Sequence, residues 1–265
     1  MAAPNEISCK NLLRLIGMPD RPVIVDISID PDFSEDPFLI PGSFRHTHTD
    51  FEGLVARLNG RGCIIACQKG MKLSQGLTSR LRGRDIDAQY LEEGMYGWRE
   101  TPDAPRIPFA ALPASNLWVT RHRPKIDRIA CPWLIRRFID ADAEFMFVSP
   151  DWVAGVADRY SATPFDIPDV VLTHKDCHCT FDAMLDLFDL RTDALNRLSE
   201  IIRAADTDNN NSPQAAGLLA FSVGLSRMYR DDNAQLDAAM PLYDALYRWA
   251  RDGAQETHAS LPDAP

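Results

Sequence analysis

The apolar residues of this chain change their rhythm along its length. Pro22 to Ile27 reads Pro-Val-Ile-Val-Asp-Ile, an almost unbroken β-branched run of the kind that forms a buried parallel strand, hidden on both faces. Residues 28–43 carry no such pattern, and a loop is expected there. Phe51, Leu54, Val55 and Leu58 fall on one helical face, after which Gly-Arg-Gly leads into Cys63-Ile64-Ile65-Ala66, a second buried strand that runs directly into Cys67. A short helix is predicted over Ser74 to Leu81 with Ser74 as its N-cap, and a third strand over Ala88 to Leu91. Strand, turn, helix and strand in that order predict an α/β layer with a parallel sheet flanked by helices.

Past Trp98 the rhythm breaks. Pro102, Pro105, Pro108 and Pro113 interrupt a stretch with little periodicity, the composition of a linker. The domain boundary is placed there, giving residues 1–112 and 113–265. Leu117 to Thr120 reads as a strand, and Ile126, Ile129, Ala130, Trp133, Leu134 and Phe138 share a helical face that Pro132 must start or kink. Stripes at Phe181, Leu185 and Phe188, at Leu195, Leu198 and Ile202, at Leu218, Phe221 and Leu225, and at Leu236, Met240, Tyr243 and Leu246 follow. Their spacing of about 3.6 residues predicts a mainly helical second domain, with a frayed tail from Gly253 onward.

Composition narrows the class. With 265 residues, 45% of them hydrophobic and 25% charged, the chain has the balance of a folded globular protein and the length for two modest domains. Its net charge of −10, most of it beyond residue 116, disfavours a nonspecific nucleic-acid binder, which needs a basic face to displace counterions. No apolar run approaches a membrane span and no leader pattern opens the chain, so a cytoplasmic location without membrane attachment is expected. The six cysteines, Cys9, Cys63, Cys67, Cys131, Cys177 and Cys179, are too scattered for a disulfide scaffold and must be judged singly.

Cys67 stands out by position. It ends a buried strand and is followed by Gln68, Lys69, Gly70, Met71 and Lys72 before a helix. Gly70 permits a turn at positive φ, so that successive main-chain amides and the helix N-terminus can face an anion held at the sulfur. Between Gly53 and Arg84 the basic residues Arg57, Arg61, Lys69, Lys72, Arg80, Arg82 and Arg84 meet no acidic residue. A positive field of this kind favours the thiolate, which is the nucleophile, and attracts anionic substrates. A strand-ending cysteine that merely packs as a small hydrophobe is the competing reading. Cys63 belongs to the core and Cys9 to an N-terminal helix.

Several separated segments carry a resemblance to rhodaneses over residues 20–100. Val23-Ile-Val-Asp26 resembles their first core strand, Ile40-Pro-Gly-Ser43 their Ile-Pro-Gly-Ala segment, and Tyr90-Leu-Glu-Glu-Gly-Met-Tyr-Gly-Trp98 their closing motif. The six-residue loop from Cys67 to Lys72 has the length of sulfurtransferases, one shorter than that of related phosphatases. The resemblance implies ping-pong sulfur transfer through a Cys67 persulfide, with Gln68 to Lys72 and Asp26 around the substrate, an anionic donor such as thiosulfate, and no cofactor for the transfer itself. Ser28 stands where these enzymes usually have arginine, and Lys72 where many have serine or threonine, which bears on substrate choice.

The second domain opens with a basic segment holding Arg121, Arg123, Lys125, Arg128, Arg136 and Arg137. Guanidinium forks suit oxyanions, although a solvated helix face with ion pairs is the plainer outcome. This segment resembles the signature of the chromate-resistance ChrB family through Thr120, Arg121, Asp127, Arg128, Ala130, Cys131, Pro132 and Trp133. Thr173-His174, Cys179-Thr-Phe-Asp182, Ala215-Ala-Gly-Leu218, Asp231-Asp232 and Leu242-Tyr-Asp-Ala-Leu-Tyr247 extend it over residues 117–250. The resemblance implies a role in chromate resistance, with Arg121 and Arg128 near a bound chromate or other oxyanion. His174-Lys-Asp-Cys-His-Cys179 is dense in metal-ligand types, so a divalent metal held by His174, Cys179 and Asp182, or completed by Asp206 or Asp208, enters as an expectation. The leading expectation is thus a rhodanese-like sulfurtransferase joined to a ChrB-type domain. The alternatives are a chromate, oxyanion or metal sensor without turnover, and an adaptor whose rhodanese-like part has lost activity.

Overall fold

A computed structural model describes residues 5–207 and 212–256. The chain divides into two compact units, Met1–Ala114 with Leu134–Ala143, and Ser115–Trp133 with Glu144–Pro265.

The first unit is a parallel α/β layer. Its strands are β1 (Glu6–Ile7), β2 (Val23–Asp26), β3 (Phe38–Leu39), β4 (Ser43–Arg45), β5 (Cys63–Ala66), β6 (Ala88–Leu91) and β7 (Ile107–Pro108), and its helices are α1 (Cys9–Leu15), α2 (Asp30–Glu35), α3 (Phe51–Leu58), α4 (Lys72–Arg82) and α5 (Gly94–Glu100). Five strands form one sheet in the order β1-β6-β5-β2-β4, and all four pairings are parallel. Every residue of β5, the middle strand, is buried. Continuous apolar runs therefore fall where both faces are covered, as parallel sheets require. On one face Val25, Ile27, Ile65 and Cys63 pack with Leu54 and Leu58 of α3 and with Leu77 and Leu81 of α4.

Residues 28–43 are not a loop. Asp30 and Asp32 lie in the first turn of α2, Pro31 fits its start, and Phe33 alone is buried, after which β3 pairs antiparallel with β7. A helix that buries one residue leaves no periodic stripe to read. The next helix also differs from expectation: α4 begins at Lys72 rather than Ser74, and Met71 precedes it with no side-chain cap. Ser74 is fully buried and serves the Cys67 loop instead.

The second unit combines a small parallel sheet with helices. β8 (Leu117–Arg121), β9 (Glu144–Val148) and β10 (Thr163–Pro164) pair in the order β10-β8-β9. The helices are α6 (Asp127–Leu134), α7 (Val153–Tyr160), α8 (Thr180–Leu187), α9 (Asp193–Asp206), α10 (Ala215–Met228) and α11 (Asp232–Arg248). Pro132 sits inside α6, and past it, in the segment Leu134–Ala143 that belongs to the first unit, the chain widens into a π-turn at Ile135–Ile139. This is a recognised response to a missing main-chain donor. Trp133 lies 5.5 Å from the Tyr247 ring and donates its indole N–H to Asp244.

One predicted stripe faces outward. Helix α10 forms over the expected residues, but its buried positions are Ala215, Ser222 and Ser226, and Phe221 is 61% exposed. The serines turn inward because Ser222 Oγ accepts from the Ile126 amide, and the Ser226 hydroxyl and carbonyl accept from the Arg123 guanidinium. Satisfying the buried Ile126 amide and the half-buried Arg123 guanidinium takes the place of hiding one more apolar side chain. The tail expected to fray lies, beyond Glu256, outside the described residues.

Candidate functional site

Two groups of chemically capable side chains occur, one in each unit. In the first, Cys67 lies just beyond the end of β5 with 5% exposure, and its Sγ is 3.3 Å from Ser74 Oγ, which donates to the Met71 carbonyl at 3.1 Å. The carbonyls of Cys67 and Gln68 accept from the Met95 and Tyr96 amides at the start of α5, at 3.0 and 3.1 Å. The Gly70 carbonyl accepts from the Gln75 side chain. With the carbonyls taken, the amides are what remains: among the described residues, none of the main-chain N–H groups from Gln68 to Ser74 donates to another protein group. The last of these open α4, where helix geometry leaves donors unpaired and the dipole is positive.

Two glycines make this loop. Gly70 has φ +65°, and a side chain there would meet the Leu91 carbonyl at 2.5 Å and the Gly94 amide at 2.7 Å. Gly94, with φ +59°, lies so close to the Cys67 carbonyl and the Gly70 amide that no Cβ fits. Backbone packs on backbone, which only glycine allows.

The other predicted residues of this site divide by exposure. Lys69, Met71 and Lys72 are exposed, and Gln68 is buried with its amide donating to Glu35 at 3.0 Å. Asp26 pairs in register with Ala66, the residue before Cys67. It is 1% exposed, one carboxylate oxygen accepts from the Ser28 amide, and the other has no partner. Burial pushes its pKa up, opposed by Ser28 and by Arg45. Arg45 was not anticipated: it comes from β4, bonds the Ser28 carbonyl and Asp30, and stacks 3.9 Å over Phe33. Its only sequence signal is its place two residues after the Ile-Pro-Gly-Ser segment.

In the second unit the chemistry gathers around His174. Its Nε2 is 3.1 Å from Asp127, 3.2 Å from Asp166 and 3.5 Å from Asp206. Asp127, at the start of α6 and 2% exposed, also accepts from the Thr180 and Phe181 amides at the N-terminus of α8. Asp166 is clasped by Arg121 at 2.8 Å, Arg128 at 3.1 Å and the Thr180 hydroxyl at 3.1 Å. Asp206 closes the group from the end of α9. Hydrogen bonds that the imidazole donates to the Asp127 and Asp166 carboxylates raise the His174 pKa to about 10. Burial, with the charge of Asp127 beside it, raises that of Asp206 to about 6.

The three residues read from sequence as a metal set are not together. His174 faces Asp127, Asp166 and Asp206, while Cys179 caps α8 and turns to Asp182, its amide at 3.2 Å and its Sγ at 3.4 Å from that carboxylate. Asp182 is fully buried and shared with Ser199, Arg191 and Arg203. Burial alone would raise its pKa, but the Ser199 hydroxyl and the two guanidinium groups hold it down. Burial and the charges of Asp127 and Asp182 push the Cys179 thiol far up, and burial does the same at Cys131. Asp208 lies outside the described residues. Arg121 and Arg128, expected near an oxyanion, both reach the Asp166 carboxylate. Asp166 had no sequence signal, because a lone aspartate in an irregular segment looks like any turn residue.

Fold and side chains together define a two-part protein, a parallel α/β unit with a cysteine at the end of its middle strand and a helical unit built around a histidine–carboxylate centre. The chain belongs to the ChrB family through its C-terminal domain, whose family model matches residues 118–250. Protein ChrB of Cupriavidus metallidurans is 34% identical over 147 residues, covering 55% of this chain and 41% of that protein, so the match spans less than half of the relative. A rhodanese-like domain protein from Staphylococcus aureus is similar at 24% identity and TM-score 0.31, over 36% of this chain and 90% of that one. A protein of unknown function from Rhodopseudomonas palustris CGA009, described as a possible tyrosine phosphatase, is 19% identical with TM-score 0.31, over 36% of this chain and 80% of that one. The parallel sheet flanked by helices, with Cys67 at the end of β5, is the architecture that the rhodanese resemblance implied. Among the described residues no helix is long and apolar enough to cross a membrane.

Proposed function

We propose that this protein is a cytoplasmic sulfurtransferase that works through a Cys67 persulfide, in the setting of chromate resistance or oxyanion stress. The carrying observation is the row of unengaged amides from Gln68 to Ser74 beside a cysteine at the strand end. Amides fixed in this way favour an anion, and they do not have to reorganise when one arrives. A donor such as thiosulfate fits that loop by charge, with Lys69 and Lys72 exposed on its rim.

The reaction balances without a cofactor. The Cys67 thiolate attacks the outer sulfur of thiosulfate, a new S–S bond forms, the donor's own S–S bond breaks, and sulfite leaves with the electron pair. A nucleophilic acceptor, such as a thiol, then attacks the outer sulfur of the persulfide and Cys67 departs as thiolate. Ser74 Oγ touches Sγ, accepting from the thiol while its own proton goes to the Met71 carbonyl; once Cys67 is a thiolate or persulfide, the hydroxyl would have to turn from Met71 to donate to the sulfur.

The test is peptide mapping by mass spectrometry after thiosulfate treatment. One added sulfur on the Cys67 peptide is expected, together with release of sulfite. An unmodified Cys67 peptide, or added sulfur confined to the exposed Cys177, overturns the proposal.

A further inference from the structure

The His174 centre lies outside the sulfur chemistry and poses a problem of its own. A single imidazole nitrogen faces three carboxylates at 3.1, 3.2 and 3.5 Å. One N–H can make one good hydrogen bond, so a proton on Nε2 satisfies one acceptor and leaves the others loosely placed. A cation placed between that nitrogen and the oxygens of Asp127 and Asp206 serves all three donors. With donor distances near 2.1 Å, adjacent ligands around a divalent ion lie about 3 Å apart, close to the spacing found here.

We infer that His174 Nε2, Asp127 and Asp206 form a binding site for one divalent first-row cation of the manganese or zinc type. Their donor atoms all lie within 4.8 Å of one another. The nitrogen ligand separates this group from an ordinary acidic patch and, with two carboxylates, suits borderline rather than soft metals.

The surroundings are those of a ligand set held from outside. Asp127 is fixed by two amides of α8, so its carboxylate cannot swing away. Asp166 is pinned by Arg121, Arg128 and Thr180 and stands 3.2 Å from the same nitrogen, adding fixed negative charge beside the site. Such outer partners typically change metal affinity 10–100-fold. The side chain of His174 is 41% exposed, which leaves an entry path and room for water ligands. Two buried thiols nearby are turned elsewhere, Cys179 to Asp182 and Cys131 to the far oxygen of Asp127. The site stands whether or not Cys67 carries sulfur.

The experiment is calorimetric titration of the untagged full-length chain with Mn²⁺ and with Zn²⁺, and electron paramagnetic resonance for the Mn²⁺ form. One saturable equivalent is expected. His174→Ala and the near-isosteric Asp206→Asn should each weaken it at least tenfold, with unchanged circular dichroism. A Cys177→Ser, His178→Ala double variant should bind within twofold of wild type. Affinity weaker than roughly millimolar for both metals, binding that survives both single variants, or binding lost only in the double variant overturns the site.

Discussion

Two cysteines in this chain stand before helices, and their surroundings are opposite. Cys67 leads into α4 through a loop whose amides are unengaged, in a stretch of sequence without a single acidic residue, and its sulfur meets a hydroxyl. Cys179 caps α8, its sulfur meets Asp182, and burial beside Asp127 and Asp182 holds it as a thiol. Helix N-termini favour anions in both cases. At α8 the anions are already in place, because Asp182 and Asp127 occupy the amides of Cys179, Thr180 and Phe181. The lesson is that a cysteine at a helix start is a candidate nucleophile only when no carboxylate has taken the amides first.

Exchanging the two sulfurs for oxygen should separate them most sharply. Cys67→Ser should lower thiosulfate turnover by at least about 10³-fold, the usual scale for losing a nucleophile, and Cys179→Ser should leave it within about twofold. Equal losses in a sulfite-release assay would erase the contrast. The next largest effect is on stability and belongs to the second cysteine's partner. Asp182→Asn removes a fully buried charge that serves Cys179, Ser199 and two arginines, and should cost about 3 kcal/mol in a urea titration. Some of the usual penalty is relieved because Arg191 and Arg203 can turn to water. The sign with pH follows from its lowered pKa: the stability Asp182 contributes is complete above its unfolded value and is lost as pH falls through the folded one.

A third change acts on the loop without touching its sulfur. Gly94→Ala places a Cβ against the Cys67 carbonyl and the Gly70 amide at a positive φ, so the loop must shift. Turnover should fall ten- to a hundredfold, as small misplacements at a reacting centre do, with about 1–2 kcal/mol of stability lost. Turnover within twofold of wild type would mean that the amide row does not set the rate.

The same contrast explains what could be read from the sequence. The Cys67 site is contiguous: strand, cysteine, glycine loop and helix follow one another, and the groups proposed to bind are main-chain amides, so residue order carries the information. Gly94 was visible as part of the Tyr90 to Trp98 segment, though not its contact with the loop. The His174 centre draws on positions 127, 166, 174 and 206, which only the folded chain brings together. The run His174 to Cys179 suggested His174 with Cys179 and Asp182, completed by Asp206 or Asp208, whereas the fold gathers His174 with Asp127, Asp166 and Asp206 and turns Cys179 to Asp182. Adjacent residues in a tight bridge such as Lys175 with His178 face different ways, so density of ligand types along a chain is not proximity in space. The exposed stripe of α10 failed for a related reason, since periodicity counts apolar residues and misses buried donors that need a serine.

The smallest expected effect tests Asp26, the buried acid one strand away from the nucleophile. Its second carboxylate oxygen has no partner, and burial raises its pKa. A carboxyl whose folded pKa lies above its unfolded one binds its proton more tightly in the native state. The stability this gives is complete below the unfolded pKa and is lost as pH rises through the folded pKa, so at neutral pH the ionised group is a burden. Asp26→Asn keeps the acceptor for the Ser28 amide and removes that charge. Relative to wild type, the variant should gain stability as pH is raised from the acid range toward 7, with a difference of at most about 1 kcal/mol in paired urea titrations. If turnover is also unchanged, Asp26 shapes the loop's foundation without taking part in sulfur transfer. A turnover loss comparable with that of Gly94→Ala, at equal stability, would instead place its charge in the reaction and extend the Cys67 site across the sheet to β2.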